Sequence, residues 1–140
     1  MSFELPGVAL HAWVDESVHV DAGLYVLAAA VASTEACDAH RDALRPLARP
    51  ARQRTHWKFE DDKDRRRLIE ALSGLELRHV VAVASPIDHK RQERARRKCL
   101  ERLMPRLAEV GVTQVWFESR SEGQDKKDRP PSRRAHAVDP

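Results

Sequence analysis

The chain has 140 residues, of which 41% are hydrophobic, 34% charged and 5% aromatic. That is the length of one modest domain, with a core built mostly from aliphatic side chains under a heavily charged surface. No apolar run approaches the ~18 residues of a membrane span, and no basic-then-apolar leader opens the chain. A non-membrane, cytoplasmic protein is expected.

The net charge of +3 is unevenly spread. Residues 1–89 carry 11 basic and 14 acidic side chains, whereas residues 90–140 carry 14 basic and 8 acidic. An acidic front and a basic back are compatible with a metal site beside a polyanion-binding face. A charge run is usually a solvated helix face, which accounts for the same residues without either partner. Cys37 and Cys99 are too few for a disulfide framework or a four-cysteine metal site, and are expected as free, part-buried thiols.

Val8 to Val14 reads as a buried strand ending at Asp15-Glu16-Ser17. A turn at Asp21-Ala22-Gly23 leads into the apolar run Leu24 to Ala32, which together predict an antiparallel hairpin. Ser33 or Thr34 can cap a helix over about 35–48, closed by Pro46 and Pro50. Residues 52–59 read as an edge strand or ordered loop. Asp61 and Asp62 open a second helix to about Ser73, with Leu68, Ile69 and Leu72 inward and Gly74 as its stop. His79 to Ala84 is a further strand, and about 89–110 a long basic helix with Cys99, Leu100, Leu103, Met104 and Leu107 on its apolar side. Pro105 is expected to kink it. Gly111 ends that helix, and Val112 to Phe117 is the last strand. Residues 121–140 lack apolar periodicity and read as a disordered basic tail. This order is α/β, with parallel pairing expected between strands joined by helices.

Ligands in open α/β sheets sit beyond the carboxyl ends of the parallel strands. Asp15 and Glu16, Asp88, and Glu118 all stand at such ends here. Carboxylates gathered this way repel unless a divalent cation neutralises them, and hard oxygen donors suit Mg²⁺ or Mn²⁺. Ordinary loop acids explain the same residues without a metal. His56 and Lys58, two apart around Trp57, share one side of an extended segment, where a proton shuttle and a phosphate counter-charge are useful. A surface pair around a buried Trp57 is the plainer account. Arg94, Arg96, Arg97 and Lys98, with Arg102 and Arg106, offer cations to a phosphate backbone. No glycine-rich phosphate loop, nucleophile elbow or zinc motif occurs.

Val14-Asp15-Glu16-Ser17 followed by Leu24 to Ala29 resembles the opening of the domain of unknown function 3800 family. Thr55-His56-Trp57-Lys58-Phe59 is similar to its central histidine element, and Trp116-Phe117-Glu118-Ser119 to its later acidic strand end. The resemblance covers roughly residues 8–120. It implies a ribonuclease H-like domain over 1–120: a mixed sheet with an N-terminal antiparallel hairpin, parallel crossover strands and flanking helices. It also implies metal-dependent nuclease chemistry, with Asp15 as primary ligand of Mg²⁺ or Mn²⁺, Glu118 completing the shell, and His56 and Lys58 assisting at the phosphate. Arg94, Arg97 and Lys98 would hold nucleic acid, and Glu16 would face away.

Val18 stands where the family usually has glycine, and Lys126 to Pro131 replace a helix bearing another acid. A truncated member is therefore expected, with impaired activity, an incompletely covered sheet near the last strand and a tendency to self-associate. Asp125 or Asp128 would add a carboxylate if the tail folds back. A non-catalytic nucleic-acid- or protein-binding module of the same fold is the alternative, and a small-molecule phosphotransfer enzyme a third.

Overall fold

The computed structural model describes residues 8–47 and 60–118. The segment 52–59 with His56 and Lys58, and the tail 121–140 with Asp125 and Asp128, lie outside the described residues. Four strands form one mixed sheet in the order β3-β2-β1-β4, flanked by helices in an α/β arrangement.

β1 (Leu10–His19) and β2 (Leu24–Ser33) form the expected hairpin, paired from Leu10↔Ser33 to His19↔Leu24. β1 continues through Asp15-Glu16-Ser17 instead of ending there, because β2 pairs with it along that whole stretch. The turn falls at residues 20–23, where Gly23 takes φ +66, a conformation that strains any residue with a Cβ.

α1 (Cys37–Leu44) is shorter than expected and passes into a 3₁₀ turn at Arg45–Leu47 that contains Pro46. Ser33 Oγ accepts the Ala36 N–H at 3.2 Å just before it. α2 (Asp62–Ser73) starts and stops where its sequence predicts. Asp61 Oδ1 accepts the Asp64 N–H at 2.8 Å, and Gly74 closes the helix. Its apolar positions do not enter the core: Ile69 and Leu72 are exposed and no α2 residue is buried.

β3 (Arg78–Ala84) pairs antiparallel with β2, from Tyr25↔Ala84 to Val31↔Arg78, rather than joining a parallel pair. It nevertheless runs in the same direction as β1, since both are antiparallel to β2. α3 (Gln92–Glu109) continues through Pro105 and buries Ala95, Arg96, Cys99, Leu100, Leu103 and Leu107. Met104 packs against that core. Gly111, at φ +91, turns the chain into β4 (Val112–Phe117), which pairs in parallel with β1.

The core lies between α3 and one sheet face. Ala12, Val14, Tyr25, Leu27, Ala29, Val31 and Val115 supply the sheet side of it. Alternation along each strand puts every second side chain there. Both cysteines are free and buried as expected, and burial pushes the Cys99 thiol up from its ordinary pKa. The large exposed apolar side chains among the described residues are Ile69, Leu72, Val81 and Val83. The exposed apolar surface thus lies on α2 and at β3, the sheet edge opposite β4, and not near the last strand as the sequence had suggested. No described helix is long and apolar enough to cross a membrane.

Candidate functional site

Pairing of β1 with β4 stops at Val14↔Phe117, while β1 runs on beside β2. A small cleft of about 150 Å³ opens there, lined by Val14, Asp15, Glu16, Leu27, Arg96, Phe117 and Glu118. Asp15 and Glu118 thereby reach the same cleft from opposite ends of the chain, and both are exposed. Asp15 Oδ1 accepts the Glu16 backbone N–H at 2.8 Å. The side chain thus serves a main-chain donor where β1 has lost β4 as neighbour.

Glu16 has a different fate. It is in phase with Ala12 and Val14 and so stands on the α3 side of the sheet, away from Asp15. The Tyr25 hydroxyl donates to Glu16 Oε2, and Arg96 Nη1 donates to the same oxygen at 2.6 Å. Arg96 Nη1 also approaches the Tyr25 hydroxyl at 3.4 Å. The Arg96 side chain is 5% exposed and that of Glu16 40%. A cation this deep needs a partner, which is why a charged residue is tolerated in the apolar stripe of α3. Burial, tempered by Arg96 and reinforced by Glu16, pushes the Tyr25 phenol up to about 12.

Arg96 is therefore a structural cation, not a phosphate ligand as its place in the basic run implied. The phase of the helix shows this: residues 96, 100, 103 and 107 form one buried stripe. The Glu16–Tyr25–Arg96 cluster was missed because each member was read alone, although Tyr25 alternates in phase with Leu27, Ala29 and Val31.

Asp88, the third expected strand-end acid, does not join Asp15 and Glu118. Its Oδ1 accepts the Lys90 N–H at 2.9 Å, its Oδ2 lies 3.6 Å from Arg91 Nε, and it lines a different and larger groove. That groove, about 1040 Å³, runs between β3 and α3 and holds Arg94 and Lys98; Arg97 is exposed but outside it. The cations of α3 thus divide by helical phase, with Arg94 and Lys98 on the β3 flank and Arg96 inward.

No group of three or more His, Cys, Asp or Glu side chains among the described residues is arranged to hold a metal ion. Asp15, Glu16 and Glu118 are the carboxylates among the described residues of the cleft, and Glu16 is engaged by Arg96. Carboxylate oxygens such as those of Asp15 and Glu118 are the donor type that Mg²⁺ or Mn²⁺ takes where water and substrate phosphate supply the other ligands. Comparison of the chain with protein-family models, with curated proteins and with solved structures gave no significant match.

Proposed function

We propose that the chain is a ribonuclease H-like, divalent-metal-dependent phosphodiesterase domain acting on nucleic acid. One observation carries this reading. Asp15 and Glu118, 103 positions apart, line a single cleft where the β1/β4 pair ends, at the carboxyl edge that α/β sheets use for ligands. The antiparallel hairpin and the parallel β1/β4 pair agree with the ribonuclease H-like expectation.

In this reading Asp15 and Glu118 hold Mg²⁺ or Mn²⁺ between them. The cation would lower the pKa of a bound water and neutralise charge on the phosphodiester. Asp15 brings one oxygen already oriented by the Glu16 N–H, so its other oxygen is aimed by the backbone. Arg96 keeps Glu16 out of the ligand set by engaging its carboxylate. Arg94, Arg97 and Lys98 give α3 a positive field that draws a polyanion towards the cleft. His56 and Lys58 retain the helper roles their spacing suggested.

Cleavage of single- and double-stranded DNA and RNA, assayed with Mg²⁺, Mn²⁺ and EDTA, tests the proposal. Asp15→Asn is the companion variant, because Asn can still accept the Glu16 N–H and keep the strand end intact. Calorimetric titration should show Mn²⁺ binding to the parent chain and most of it lost in the variant. Equal Mn²⁺ affinity in both would remove Asp15 from the site. A non-catalytic nucleic-acid-binding module is the second reading, favoured by the engagement of Glu16 with Arg96, which takes that carboxylate of the cleft out of a ligand set. Salt-dependent binding without cleavage under any metal condition would select it.

A further inference from the structure

The groove between β3 and α3 has two features that a phosphate backbone would not use together. Along one wall lies β3, which among the described residues pairs only with β2 and so presents an open strand edge. Natural edges are usually blunted by charge, proline or a bulge. Here the stretch Val80 to Ala84 carries none of these, and Val81 and Val83 are 55% and 58% exposed. The other wall is a row of cations on α3: Arg91, Arg94, Lys98, Arg102 and Arg106. Asp88 and Glu101 are the acids in the groove among the described residues. Arg91 is met by Asp88 at 3.6 Å and Arg106 by Glu109 at 2.8 Å, whereas Arg94, Lys98 and Arg102 carry no ion pair among the described residues.

The dimensions of the two walls agree. The seven residues of β3 span about 23 Å. The helix rises about 22 Å from Arg91 to Arg106. Cations at the four-residue spacing 94, 98, 102 and 106 recur every ~6 Å. Side chains on one face of an extended strand recur every ~6.6 Å. A strand added to β3 would therefore present one side chain in two to the cations of α3. The alternate side chains would stand beside Val81 and Val83 on the opposite face.

We infer that this groove docks an extended peptide of alternating acidic and apolar residues, added to β3 as a fifth strand. A second copy of the chain is a poorer occupant. Pairing β3 with its own copy would bring two rows of cations together across the seam, and like charges there oppose association. A nucleic-acid strand is poorer as well. Among the described residues the groove lining contains no aromatic ring on which bases could stack, and a strand edge alternates donors with acceptors that phosphates cannot satisfy. The inference does not depend on the roles given to Asp15 and Glu118.

The test uses the full chain and fluorescence polarisation with a labelled seven-residue peptide alternating Glu and Val. A peptide of the same composition in blocks, a Lys-Val alternating peptide and an oligonucleotide of equal charge are the competitors. The alternating acidic peptide should bind, and the two control peptides should fail to displace it. N-methylation separates strand addition from simple charge attraction, because alternate N–H groups of a strand point to opposite sides. Methylating either the Val or the Glu amides should abolish binding, and methylating the other set should leave it. R94Q/K98Q/R102Q, three exposed substitutions, should weaken binding about tenfold. Equal binding of the block peptide, or indifference to both methylation patterns, would overturn the inference. So would displacement by the oligonucleotide at matched concentration, or a Val81-dependent dimer in light scattering that excludes the peptide.

Discussion

Tyr25 is the single tyrosine of the chain, so its phenol can be followed directly by tyrosinate absorbance. In the native protein it is 3% exposed and donates to Glu16, and its pKa is raised from 10.0 to about 12. Tyr25→Phe keeps the ring in the core and removes only the hydroxyl. A hydrogen bond to a charged acceptor contributes about 1.5 kcal/mol or somewhat more, so the variant should be less stable by about that amount near neutral pH. A raised folded-state pKa means the folded protein holds the proton more tightly than the unfolded chain. The resulting stability is complete below pH 10 and is lost as pH rises through 12. By pH 12 about 2 kcal/mol of it has gone. The parent chain should then be no more stable than Tyr25→Phe, and the two denaturant curves should converge between pH 10 and 12. Subtracting one from the other cancels the lysines and arginines that titrate in the same range. A native-state phenol titrating near 10, or a stability difference that stays constant to pH 12, would refute the account of this cluster.

Leu103→Ala should cost about 3 kcal/mol in denaturant unfolding, because Leu103 is 1% exposed in the centre of the α3–sheet core. Ile69→Ala, on the exposed side of α2, should change stability by about 0.5 kcal/mol at most, which separates true core positions from apolar ones. Asp61→Ala removes the acceptor for the Asp64 N–H and should cost about 1 kcal/mol, read by the same unfolding curves.

Helix starts and stops were legible in the sequence where a short-range device sets them. Asp61 and Gly74 bound α2, and Gly111 separates α3 from β4, as local chemistry requires. The apolar stripe of α3 was legible because 3.6-residue periodicity survives over five turns. Strand ends were less so. Asp15 to Ser17 carry polar side chains and read as a turn, yet their backbone is paired with β2, at residues 26–28. Likewise Ile69 and Leu72 have helical spacing but no surface to meet, which a local pattern cannot reveal. Of the candidate site, the convergence of Asp15 and Glu118 was anticipated from strand ends in an α/β order. The inward turn of Arg96 was not, since a run of basic residues conceals the one that falls on the buried phase.

The parallel pairing of β1 with β4 joins Leu10 to Val112, with the Thr113 hydroxyl donating to the Leu10 carbonyl at 3.2 Å. The hairpin partner of β1 follows it immediately, but β4 follows after roughly a hundred further residues. At about 5–20 residues per second of synthesis, β1 keeps one bare edge for about 5–20 seconds after it leaves the ribosome. That interval is long against hairpin formation in microseconds, so β1 and β2 pair early and wait. Closing so large a loop also makes the β1/β4 seam the slow step in refolding from denaturant. The cleft shared by Asp15 and Glu118 is thus the last part of the sheet to come into being, and a nascent chain halted before Val112 would carry Asp15 without the Phe117 and Glu118 side of that cleft.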